Sequence, residues 1–297
     1  FFFFLYCLMR HTAITANMTS MTYVLPPHAE CGRVTPSGGQ LIIDGWDAER
    51  GELPWHAGIY RKTTKPYMQI CGGSLVSNNV VISAAHCFWD KLEEKQQPAS
   101  MFAVGVGKLY RPWNDPNDDA QKADVSELKL PPRFQGATAN FQEDIAILVL
   151  SISFQYKTYV RPVCLDFDIN FDRRQLSDGN LGKVSTSENG GASQVLKVVN
   201  LPYVSVQECL AESPNGFREY ITSDKICAGW RNGTALCKGD SGGGLVFPDS
   251  DKGIQRFYLR GIVSTAPNND NLCNAFTLTT FTQISKHEDF IKQYVSI

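Results

Sequence analysis

Gly239-Asp240-Ser241-Gly242-Gly243 sets a serine between glycines. A serine hydroxyl is a weak nucleophile at neutral pH. It becomes useful when a histidine takes its proton and a buried aspartate holds the imidazole in the right tautomer. Two upstream stretches supply both groups, Ser83-Ala84-Ala85-His86-Cys87 and Asp144-Ile145-Ala146-Ile147-Leu148. His86, Asp144 and Ser241 are therefore candidates for one acyl-transfer site.

Gly-x-Ser-x-Gly also describes the nucleophile elbow of α/β-hydrolases, in which the acid and then the histidine follow the serine. Only His287 follows Ser241, and too little chain remains to build the rest of such a sheet. An ordinary glycine turn or a satisfied core histidine would explain one motif alone. Neither explains three motifs together with the cysteine pattern.

The chain has 297 residues, 43% of them hydrophobic, enough for one large domain or two small ones with a sizeable core. A net charge of -2 gives no general attraction to nucleic acid. Nine cysteines without a CxxC pair point to disulfides in an oxidising compartment rather than to zinc. Asn17-Met18-Thr19 and Asn232-Gly233-Thr234 fit the N-glycosylation triplet. Phe1 to Leu8 is an apolar run too short to span a membrane, and it resembles the tail of a signal-peptide core. Residues 1–30 are accordingly expected to be a leader or an artefactual segment without a fold of its own.

From Cys31 onward the pattern is of many short strands. Tyr67–Ile70, Val80–Ser83, Phe102–Val106, Ile145–Leu150, Val195–Val199, Gly244–Phe247 and Tyr258–Val263 are β-rich and bounded by turn residues. No strands alternate with long helical patterns, which argues against a parallel α/β sheet. The spacing of Phe290, Ile291 and Tyr294 predicts a short C-terminal helix, and Asn114–Asp119 reads as a polar surface loop.

The order His86, Asp144, Ser241 and these motifs resemble the chymotrypsin-type serine proteases, from Cys31 to Ile297. Within that family the stretch Val263-Ser264-Thr265-Ala266-Pro267-Asn268-Asn269-Asp270-Asn271-Leu272-Cys273 is similar to arthropod modular serine proteases that initiate extracellular immune cascades. The resemblance implies an all-β fold of two packed six-stranded antiparallel β-barrels with a short C-terminal helix. It implies an activation segment at 31–41 and a catalytic domain at 42–297. It also implies pairings Cys71–Cys87, Cys209–Cys227, Cys237–Cys273 and Cys31–Cys164, the last holding the activation peptide to the body; Cys7 is left over.

By the same resemblance Ser241 is the nucleophile, His86 the general base and acid, and Asp144 its support. The N–H groups of Gly239 and Ser241 form the oxyanion hole. Ile42-Ile43-Asp44-Gly45 looks like the new N-terminus made by cleavage after Leu41, its ammonium pairing with Asp240. Ala235 falls at the pocket floor, where trypsin-like relatives carry Asp, and Ala266 and Thr279 at its walls, with Ser264 alongside. Such a pocket should accept Leu, Val or Ala, with broad selectivity.

Some positions depart from the family pattern. Lys183-Val184-Ser185-Thr186-Ser187-Glu188 stands where a Gly-Trp-Gly turn is usual, about four residues short, which bears on the oxyanion loop. Gly244 replaces a common Pro, and Thr265 a Trp. Lys108 falls where calcium-binding relatives have an acid, so no calcium loop is expected, and neither metal nor cofactor is needed. The expectation is a secreted serine endopeptidase zymogen, self-activating, acting on protein substrates such as downstream zymogens. An upstream recognition protein is a possible partner, with no nucleic acid and no membrane span. The rival expectation is a catalytically impaired homologue that serves as a binding or scaffold protein.

Overall fold

The computed structural model describes residues 30–34, 45–186, 194–230, 236, 239–251, 253–265 and 278–296. Its strands, in chain order, are β1 (Trp46–Asp47), β2 (His56–Arg61), β3 (Met68–Leu75), β4 (Val80–Ser83), β5 (Trp89–Asp90), β6 (Lys95–Gln96), β7 (Phe102–Val106) and β8 (Gln121–Lys129). There follow β9 (Ala146–Leu150), β10 (Leu181–Thr186), β11 (Lys197–Val204), β12 (Lys225–Ala228), β13 (Gly244–Asp251), β14 (Ile254–Thr265) and β15 (Thr279–Gln283). Short α-helices among the described residues are α1 (Ile169–Gln175) and α2 (Val206–Glu212) between strands, and α3 (Glu288–Lys292) after the last strand.

Six of these strands close into an antiparallel barrel in the order β2-β3-β4-β9-β8-β7. A second six-stranded barrel runs β11-β10-β13-β14-β15-β12 and closes through β11–β12, with β1 added on the outside of β11. This is the expected two-barrel fold with a short C-terminal helix. Barrel closure leaves no long row of unpaired backbone groups at a sheet edge.

The strand sequences show why each face points where it does. In β8 the side chains of Ala123, Val125 and Leu128 are buried while Asp124, Ser126 and Glu127 are exposed. β4 and most of β9 are buried on both sides, and both read as nearly continuous Val, Ile and Leu. Phe88, Phe102, Ile59, Ile82 and Ile147 fill the first barrel; Phe281, Val184, Leu245 and Val263 fill the second. The last turn returns to the first core, where Ile284 and Ile291 are fully buried. Disulfides join Cys71 to Cys87, Cys209 to Cys227 and Cys31 to Cys164. Cys7, Cys237 and Cys273 lie outside the described residues.

Several sequence expectations shift. β3 runs on from Ile70 to Leu75, and the strand expected at Val195–Val199 is β11, displaced to Lys197–Val204. β2, β8, β10, β12 and β15 had no sequence signal strong enough to find them. β8 is largely polar, and β15 is Thr-Thr-Phe-Thr-Gln. The Asn114–Asp119 loop is not wholly at the surface. The Asp118 carboxylate is buried and meets the equally buried Lys108 ammonium at 2.6 Å, while also accepting from the Leu109 N–H at 2.7 Å. A buried ammonium needs a counter-charge, and that need draws Asp118 inward.

The Ser241 loop is clamped between the barrels. Gly72 N–H of β3 donates to the Ser241 carbonyl at 2.8 Å, and Gly242 N–H donates to Val263 of β14 at 2.9 Å. Gly242 has φ +80°, and a Cβ there would lie 2.2 Å from Ser83 Oγ and 2.5 Å from the Gly72 carbonyl oxygen. Both the backbone conformation and the space therefore require glycine. Gly242→Ala is expected to cost at least ~2 kcal/mol of stability, read as a lowered urea midpoint with unchanged m-value.

Candidate active site

His86 sits in a 3-10 turn, Ala85–Phe88, directly after β4. The turn is held from below by the Cys71–Cys87 disulfide and by burial of Ala85 and Phe88. Asp144 precedes β9 and is fully buried. It meets His86 twice: Oδ1 accepts from the His86 backbone N–H at 2.9 Å, and Oδ2 lies 2.8 Å from Nδ1. The second contact fixes the ring and, with an ionised Asp144, places the proton on Nδ1 and leaves Nε2 as the base.

The second barrel supplies the remaining partners of Asp144. Ser264 Oγ of β14 donates to Oδ2 at 2.6 Å, and Thr282 Oγ1 of β15 donates to the Asp144 carbonyl at 3.0 Å. Burial works to raise the Asp144 carboxyl, but His86 beside it, aided by Lys225 and the Ser264 hydroxyl, holds it below the ordinary carboxylate range. It is therefore ionised wherever His86 can act as a base.

The Ser241 side is built from the loop after residue 238. Among the described residues no hydrogen bond joins the Ser241 hydroxyl to His86, and such contacts are often long until substrate is bound. Gly239 has φ +109°, a conformation that side chains other than glycine rarely adopt. Among the described residues neither the Gly239 nor the Ser241 N–H has an acceptor within the protein, as donors kept for an oxyanion require. Asp240 is buried and its Oδ2 accepts from Thr186 Oγ1 at 3.0 Å. Thr186 ends β10, all six residues of which pair with β11.

Thr279 is buried at the start of β15, paired with Ala228. Ala235, Ala266, Leu41 and Ile42 lie outside the described residues, as do the two glycosylation triplets. Among the described residues the one metal-like grouping is Cys71, His86 and Cys87, and its two sulfurs are spent in a disulfide. A thiolate pair is therefore not available to a metal there. No described helix is long and apolar enough to cross a membrane.

The sequence carries the family's pattern across the same stretch as this geometry: the Trypsin family model matches residues 42–291. The chain belongs to the trypsin family of serine endopeptidases. It is 30% identical over 270 residues to the Modular serine protease of Drosophila melanogaster, covering 88% of this chain and 41% of that protein. It is 31% identical over 277 residues to Clotting factor C of Tachypleus tridentatus, covering 89% of this chain and 26% of that protein. Phenoloxidase-activating factor 3 of Holotrichia diomphalia is 30% identical over 288 residues, covering 92% of this chain and 77% of that protein. The chain thus spans well under half the length of the first two relatives.

Sequence reasoning missed several residues that now surround the site. Ser264, expected only at the substrate pocket, turns its hydroxyl to Asp144. Phe141 sets its ring edge-on to His86, with centroids 5.9 Å apart. His56 of β2 lines a cavity of about 50 Å³ together with Gln69, Arg111, Thr186, Gly239 and Asp240. Neither Phe141 nor His56 carries a local motif.

Burial lowers the His56 pKa to about 4 from its usual 6.5. A histidine held neutral in the fold and free to protonate when unfolded makes stability rise with pH between those two values. Its contribution is intact above pH 6.5, declines as pH falls, and levels off near pH 4. The decline should amount to about 3 kcal/mol. Urea unfolding of wild type and His56→Gln between pH 7 and 4.5 should show the variant losing distinctly less stability; equal slopes would remove His56 as the cause.

Proposed function

We propose that the chain is the catalytic part of a secreted serine endopeptidase zymogen that activates itself and stands at the head of an extracellular proteolytic cascade. The observation that carries this reading is the buried Asp144 carboxylate holding His86 Nδ1 at 2.8 Å, opposite a clamped Ser241 loop with free N–H donors. Ser241 attacks the scissile carbonyl, and His86 Nε2 takes the hydroxyl proton and returns it to the leaving amine. Asp144 remains ionised and stabilises the imidazolium, while the Gly239 and Ser241 N–H groups receive the oxyanion.

Secretion is supported by three disulfides, which persist in oxidising compartments. Residues 31–41 serve as the activation segment and 42–297 as the catalytic domain. Cleavage after Leu41 frees the Ile42 ammonium to pair with Asp240, a buried carboxylate whose Oδ2 accepts from the Thr186 hydroxyl at 3.0 Å. Ala235, Ala266 and Thr279 narrow an uncharged pocket that accepts Leu, Val or Ala. The residue before the activation bond is itself Leu, so the preference of the enzyme matches its own activation site. Crowding of zymogens on a surface would raise the rate of that intermolecular cut without any new contact. Downstream protease zymogens are the substrates this places next, and the relatives named for clotting and phenoloxidase activation support that place.

Purified zymogen incubated at rising concentration should generate an Ile42 N-terminus at a rate that climbs with concentration, and should then label with a fluorophosphonate. Ser241→Ala should do neither, with hydrolysis falling by about a million-fold as in other triad enzymes. Leu41→Arg should resist self-cleavage. Wild type that never acquires the Ile42 terminus, or Leu41→Arg that cleaves as fast, would sink autoactivation while leaving the protease reading to the labelling test.

A further inference from the structure

Beneath Asp144 lies a second charged cluster that the reaction scheme does not use. Lys225 of β12 is buried, with its ammonium wholly out of solvent. It donates to the Phe141 carbonyl at 2.7 Å and lies 3.3 Å from Asp224 Oδ2. The same Asp224 oxygen accepts from the Glu143 backbone N–H at 2.9 Å and faces His287 Nε2 at 3.3 Å. Thr222 Oγ1 donates to the other Asp224 oxygen at 2.5 Å. These donors hold Asp224 well below the usual carboxylate range against the burial that would raise it, so it stays an anion.

The cluster grips the stretch that delivers the catalytic aspartate. Asn140, Phe141 and Glu143 have φ of 51°, 54° and 59°, and none is glycine. A left-handed phenylalanine is a costly conformation that persists only where its surroundings impose it. Two backbone groups of this stretch, the Phe141 carbonyl and the Glu143 N–H, end on Lys225 and Asp224. The same two residues flank what His86 touches: the Phe141 ring packs edge-on to the imidazole, and Asp144 follows Glu143.

We propose that Lys225 is a positioning residue for the catalytic pair, its buried ammonium pinning the 140–143 segment, left-handed at Asn140, Phe141 and Glu143, so that Phe141 and Asp144 meet His86 in register. Asp224 supplies its counter-charge from β12's own entry turn. His287 closes the cluster from the C-terminal turn, and the Glu143 carboxylate is turned away to Arg133. The Lys225 side chain is wholly buried and bonds to the Phe141 carbonyl and Asp224, not to Ser241 or His86, so it acts on the chemical step and not on binding. This rests on the assignment of His86, Asp144 and Ser241 as the reacting residues.

The test uses the cleaved chain. Lys225→Met should lower kcat by at least tenfold with KM within about twofold. It should also broaden or displace the downfield proton resonance of the His86 Nδ1–Asp144 bond. Because that variant leaves the buried Asp224 carboxylate without its lysine counter-charge, the double variant Lys225→Met/Asp224→Asn is made beside it, removing both charges. The double variant should recover thermal stability without recovering kcat, since the Phe141 carbonyl still lacks its donor. Lys225→Arg should fall between. A Lys225→Met enzyme with wild-type kcat and resonance would overturn the proposal, as would full recovery of kcat in the double variant. Wild type that fails to label with a fluorophosphonate after cleavage would overturn the triad assignment as well; an active wild type with an indifferent Lys225 overturns only this inference.

Discussion

A single buried anion organises the space between the barrels. Asp144 has no contact with water, so its charge must be matched from within the protein. The first barrel offers the His86 backbone N–H and ring, and the second offers Ser264, while Thr282 bonds the Asp144 carbonyl. The His86–Asp144 pair is thus a structural joint: the barrels cannot slide without stripping a donor from a buried carboxylate. The Ser241 loop repeats the arrangement, bonded to β3 on one side and β14 on the other. Ser241 and His86 are fixed relative to each other because the Ser241 loop and the Asp144 that holds His86 are each tied to both halves.

Buried charge is handled the same way elsewhere. Lys108 meets Asp118, and Arg260, wholly buried on β14, meets Asp172 of α1 at 3.2 Å and Gln175 Oε1 at 2.5 Å. Gln283 and Ser285 complete the shell of Asp172 from β15 and the turn after it. Replacing such pairs by apolar residues need not weaken a fold, whereas losing one partner does. Their distribution is informative. Lys108–Asp118 fixes the loop beside Arg111 and the cavity of Asp240, and Asp224–Lys225 lies under Asp144, so two of the three border the site.

The contact of His86 with Asp144 was legible because each residue sits in a short motif, and the cysteine pairs now seen bonded and the two-barrel class were legible through the family resemblance that those motifs carry. Val80–Ser83 and Phe102–Val106 are strands with a strong apolar signature and fall where the sequence placed them. β8 was not legible because a barrel strand needs only one apolar face, and here that face is Ala123, Val125 and Leu128 amid charges. Lys225 and Asp224 carried no signal because their meaning comes from residues 84 and 81 positions away, Phe141 and Glu143. Ser264 was visible as part of a motif, yet its hydroxyl partner lies 120 positions away. Long-range polar pairing leaves no periodicity in a sequence.

The return of the C-terminal turn to the first barrel bears on how the molecule is made. Ile284, Ile291 and Val295 belong to the same core as Ile59, Ile82 and Phe102, so that core is sealed by residues made after the strands of both barrels. Thr282, His287 and the second barrel's half of the Asp144 shell arrive equally late. Non-local pairing of this kind folds slowly, and its partly built forms expose apolar strands. It also means that a nascent or truncated chain carries the histidine and aspartate without the framework that aims them. Competence therefore waits on the last elements of the second barrel, a safeguard built into the order of folding itself.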